Sequence, residues 1–82
     1  MSKQEQLMKQ GLLAEKRNEL KTLEDRAENA ISALRAATFV LESPLDLDGG
    51  NVVAAATDLD AIIKQASSVR KQITKLEDEL GV

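Results

Sequence analysis

Eighty-two residues with no cysteine, histidine, tryptophan or tyrosine and a formal net charge of −3 exclude disulfide scaffolds, thiolate or imidazole metal sites and most proton-transfer chemistry. The chain is long enough for one small domain, and a domain of this size hides only about 60% of its unfolded surface, so oligomerisation is a natural source of extra burial. The acidic balance argues against general nucleic-acid binding, whose affinity rests on neutralised phosphates.

The start, Met1-Ser2-Lys3-Gln4-Glu5-Gln6, is polar and lacks a signal-peptide apolar region. No apolar run approaches the ~20 residues of a membrane span. With the absence of cysteine this leads us to expect an intact, soluble, cytoplasmic protein. Alanine, leucine, glutamate, lysine and glutamine dominate, which favours helix throughout.

Ser2 and Glu5 have the spacing of a capping box, so a helix can begin at once. Glu5 and Lys9 follow at i,i+4, a favourable pair on one face. Gly11 interrupts at a cost of ~1 kcal/mol relative to alanine. A heptad repeat then emerges. Leu13, Leu20, Ala27, Leu34 and Leu41 occupy one position, and Leu23, Ala30 and Ala37 the other. This is the a/d seam of a left-handed coiled coil, interrupted upstream by Lys16, Lys9 and Gln6. The first helix is expected over about residues 2–42, ending before Pro44, which disfavours a helical residue ahead of it.

The connector is expected at residues 43–51. It holds the only proline and the Gly49-Gly50 pair, with Asn51 as N-cap of the next helix. The second helix, about residues 52–80, repeats the pattern. Val52, Leu59, Ala66, Ile73 and Leu80 take one seam position; Ala55, Ile62, Val69 and Leu76 take the other. Asp58 and Asp60 are placed toward its positive end, and Gly81 stops it.

Folded back on itself, the seam pairs Leu41 with Ala55, Leu34 with Ile62, Ala30 with Ala66, Leu23 with Ile73 and Leu20 with Leu76. This register centres on Asp48 and leaves residues 1–11 as an overhanging segment about 15 Å long. The expected fold is therefore all-α: one antiparallel two-helix coiled-coil hairpin domain spanning residues 1–82. Apolar residues also lie off the seam, at Ile31, Ala33, Phe39 and Val40 and at Val53, Ala56 and Ile63. An apolar surface wider than one seam calls for a cover, and a homodimer forming a four-helix bundle is the simplest.

No catalytic residue, cofactor or metal is expected. Glu42, Asp46, Asp48 and Asn51 offer oxygen ligands. Counting Asp46 as position one of a calcium loop, however, puts Asn51 where glycine is required and Thr57 where glutamate is required. The glycine pair is followed by no Lys-Ser or Lys-Thr, so it is no phosphate cradle. The function expected is non-catalytic protein–protein interaction: a small adaptor, co-chaperone or regulator. Its interface candidates are Leu7, Met8, Leu12, Ile31, Phe39, Val40, Val53 and Ile63. The competing readings are a dimeric RNA-binding bundle contacting nucleic acid through Lys64, Arg70, Lys71 and Lys75, and a structural subunit of a larger assembly. Base-stacking aromatics are missing, which weighs against the RNA reading.

Overall fold

The computed structural model describes residues 2–39 and 49–82; of Phe39 it describes the helical backbone. Two helices fill these segments: α1, Lys3–Phe39, and α2, Gly49–Leu80. They run side by side as an all-α hairpin, inside a Cα envelope of 63 × 15 × 14 Å that is little longer than α1 itself. Among the described residues, no helix is long and apolar enough to cross a membrane. Val40, Leu41, Glu42 and residues 43–48 lie outside the described residues. With them lie the end expected for the first helix and the connector leucines and acids.

Both free ends are capped by their local sequence. The Ser2 hydroxyl accepts the Glu5 N–H at 3.1 Å, and the Ser2 carbonyl accepts the Gln6 N–H at 3.0 Å. The hydroxyl satisfies an N–H that the first helical turn would otherwise leave without a partner, and the carbonyl accepts the first backbone bond of the helix. At the other end Gly81 takes φ +74°, a conformation that costs glycine little. The Gly81 N–H bonds to the Asp78 carbonyl at 3.3 Å and the Val82 N–H to the Glu77 carbonyl at 3.0 Å. Those two bonds are the Schellman pattern.

The start of α2 corrects the expected boundary. The helix includes Gly49, Gly50 and Asn51, so Asn51 lies in the first turn and is not its N-cap. Asp58 and Asp60 then fall in the third and fourth turns, beyond the reach of the dipole's positive end. Glycine is a poor helix former, but the seam that follows pays for its inclusion.

The heptad reading is realised in the packing. Leu13, Leu23, Ala30, Ile62, Val69, Ile73 and Leu76 are buried, with Leu20, Ala27, Leu59, Ala66 and Leu80 packed against them. Each lies at a seam position. Burying a side chain of leucine, isoleucine or valine size stabilises by roughly 1.5–3 kcal/mol, and the apolar seam is where that stabilisation is concentrated.

The register differs from the expected one by a heptad. Leu13 is only 5% exposed, although it falls beyond the end of α2 if Leu20 meets Leu76. The Lys9 ammonium lies 2.8 Å from the Glu79 carboxylate, and Lys9, Leu12 and Lys16 share one concavity with Gln72, Leu76 and Glu79. These neighbours place Leu13 opposite Leu76, Leu20 opposite Val69, Leu23 opposite Ala66, Ala27 opposite Ile62, Ala30 opposite Leu59 and Leu34 opposite Ala55. Close packing explains the choice. The expected register set Ala30 against Ala66; the observed one brings Ala27 and Ala66 together with the larger Leu23 and Ile62. It also brings the ends of α1 and α2 at the connector to one level.

The unpaired N-terminal stretch is correspondingly shorter than residues 1–11, since Lys9 already reaches α2. Lys9 and Lys16 do not end the seam. Their aliphatic stems lie on it, and their ammonium groups turn out to Glu79 and, at 3.3 Å, Glu19. Lys9 therefore bridges to the other helix and not to Glu5. Gly11 sits mid-helix with nothing within 4 Å of the position its Cβ would take. Gly11→Ala is thus expected to stabilise the hairpin by about 1 kcal/mol, read as a higher Tm at fixed protein concentration.

Candidate functional site

An antiparallel two-helix coiled coil has one closed seam and two open edges, and seven-residue steps decide what lies along each edge. On one edge the Arg17 guanidinium lies 3.2 Å from the Glu77 carboxylate. One heptad toward the connector come Glu24 on α1 and Arg70 on α2, and further heptad steps bring Ile31 and Thr38 on α1 and Ile63 and Ala56 on α2. Glu24, Ile63 and Arg70 line a shallow concavity floored by Ala27 and Ala66, where the small seam residues leave room. The opposite edge carries Leu12, Glu19, Arg26 and Ala33 from α1 and Glu79, Gln72, Gln65 and Asp58 from α2.

The interface candidates divide into three groups. Ile31 and Ile63, 36% and 55% exposed, both lie on the first edge. Leu7, Met8 and Leu12 are exposed together near the start of α1, around Gly11, between Glu5 and Glu15. Val53 is exposed by itself in the first turns of α2. Phe39 closes the described part of α1, and Val40 lies outside the described residues. The N-terminal patch thus lies far from Ile31 and Ile63 along the hairpin axis.

Comparison with protein-family models, with curated protein sequences and with solved structures finds no match to this chain. Its chemistry is read from its own side chains.

The cations considered for nucleic acid are all exposed on α2. Lys64 is held by Asp60 at 2.9 Å, and that hydrogen bond, with the charge of Asp60, raises its pKa above the ordinary value. Arg70 lies on the edge near Glu24, while Lys71 and Lys75 lie two and three turns beyond Lys64. The strip is thus partly neutralised from within.

Arg17–Glu77 and Lys9–Glu79 were not visible as pairs in the sequence, because each depends on the register. The hydrogen bond from Lys9 holds the Glu79 carboxyl below its ordinary value of 4.5. The folded state therefore binds this proton less tightly than the unfolded chain. The contact's stabilisation is complete above the unfolded value and is lost as pH falls through the depressed one. Glu79→Gln is expected to lower Tm slightly at neutral pH and to leave it equal to wild type near pH 2, where the carboxylate is protonated in both states. Parallel melts at the two pH values check this.

Proposed function

We propose that this chain is a non-catalytic interaction protein of the cytoplasm, which self-associates into a four-helix bundle and engages another protein through apolar helix surface. The supporting observation is the exposure of Ile31 and Ile63 on a hairpin that buries only one seam. Large aliphatic side chains at a surface gain by being covered, and a second hairpin supplies matching helices. The exposed Leu7–Met8–Leu12 patch supplies the surface for a different protein, as a helix face laid into an apolar groove. A cysteine-free chain suits a reducing compartment.

Sedimentation over a range of concentrations tests this reading. One discrete species of twice the 8.9 kDa chain mass is expected at high concentration. A monomer throughout sinks the self-association, and an open-ended ladder of large species favours a filament subunit. Nucleic-acid binding that falls steeply with salt and is lost on neutralising Lys64, Lys71 and Lys75 would replace this reading with the RNA-binding one.

A further inference from the structure

Near its start, α1 carries an apolar patch, a spot of bare backbone and unpaired negative charge on one surface. Leu7, Met8 and Leu12 are exposed around Gly11. Met8, Gly11, Leu12 and Glu15 are spaced i, i+3, i+4, i+7, the four corners of a hole that receives one side chain of a packing helix. One corner is open: nothing lies within 4 Å of the position a Gly11 Cβ would take. A second backbone can approach closely there, and that approach gives a mid-helix glycine a use that offsets its poor helix propensity.

Charge decides what fits. Glu5 and Glu15 border the patch toward its two ends, about 15 Å apart along the axis. Both are exposed, and among the described residues neither carboxylate is in an ion pair. Lys9, at i+4 from Glu5, is drawn off to Glu79 on α2. Lys16 turns to Glu19, and Lys3 does not line the patch. The observed register thus leaves the apolar surface bracketed by free acid.

We infer that this patch is an interface for a basic amphipathic helix of another protein, one whose aliphatic stripe is bracketed by lysines or arginines about three turns apart. The inference rests on the reading of Leu7, Met8 and Leu12 as a surface for a different protein, and it names that protein's chemistry. An aliphatic side chain enters the hole over Gly11, and the two cations reach Glu5 and Glu15. A second copy of this chain is the poorer occupant, because it would gather four free carboxylates around one small apolar contact.

The probe is a fluorescently labelled, alanine-rich peptide of about five helical turns with one leucine stripe bracketed by lysines. Its counter-probe carries glutamates in place of those lysines. Titrated with the full chain at low ionic strength, where surface charge is least screened, the lysine peptide should bind at least about tenfold more tightly than the glutamate peptide. The double variant Glu5→Lys, Glu15→Lys should reverse that order. Gly11→Leu should lose the lysine peptide, although leucine is the better helix former and has open space at this position. A Tm no lower than that of wild type separates this loss from unfolding.

Wild type that binds neither peptide overturns both the docking role of the patch and the partner's chemistry. Equal binding of the two peptides, abolished by Gly11→Leu, overturns the basic partner alone and leaves the docking role standing. A lysine preference that survives both variants overturns the site. Self-association of wild type that Gly11→Leu abolishes makes a second copy the occupant and overturns the inference.

Discussion

Ile62→Ala should cost about 2–5 kcal/mol and bring the hairpin close to unfolding at room temperature. Among the described residues Ile62 is the most deeply enclosed large side chain, 2% exposed, at the middle of the seam near Ala27. A small neighbour has no side chain with which to fill the space, so the cavity persists after truncation. Whole domains of this length are stable by roughly 4–12 kcal/mol, and a hairpin with seven buried apolar residues among those described belongs near the lower end. Melting followed by circular dichroism gives the loss directly. Val53→Ala, at an exposed position of the same helix, should change stability by no more than about 0.5 kcal/mol. Equal effects from the two substitutions would mean that the seam does not carry the fold.

The second large effect is expected at Leu13. Leu13→Ala should destabilise by a similar 2–5 kcal/mol, whereas Leu12→Ala, one residue away and exposed, should stay within about 0.5 kcal/mol. The contrast follows from register. With Leu13 opposite Leu76, it is a core residue held between the Lys9 and Lys16 stems. One heptad further along, it would overhang with no intramolecular partner, and its truncation would be nearly silent. Leu76→Ala should match the loss at Leu13, since each removes one side of the same contact.

The heptad pattern made the seam legible. Along α2 every residue that is at least half-buried sits at an a or d position, apart from Glu77. Along α1 the same holds apart from Glu19. The two exceptions are carboxylates drawn in by Arg17 and Lys16. A 3.5-residue period on each helix dictates this, and no tertiary information is needed. Register was not legible on the same ground, because a slip of one heptad preserves all a-to-d pairing. What distinguishes the two registers is packing across the seam: Ala30 against Leu59, or Ala30 against Ala66. It also needs the seam to continue through Lys9 and Lys16, which look like interruptions as letters but act as apolar stems in the fold.

The same dependence governed the candidate site. Ile31 and Ile63 were each visible as off-seam apolar residues, but the edge on which they lie follows only once Arg17 and Glu77 mark it. Leu7, Met8 and Leu12 were visible as an apolar group at helical spacing, and they remain exposed because α2 ends beside Lys9. The boundary of α2 was misplaced by glycine's low helix propensity, which the long seam behind it overrides.

Register is the hinge for edge, interface and stability alike, and methyl NOEs measure it. Leucine-methyl-labelled chain, diluted into excess unlabelled chain so that only contacts within one hairpin are seen, should give a strong Leu13–Leu76 cross-peak and none between Leu20 and Leu76. A Leu20–Leu76 cross-peak with no Leu13–Leu76 contact would place α2 one heptad, about 10 Å, from its position here, and would contradict the register and the interface built on it.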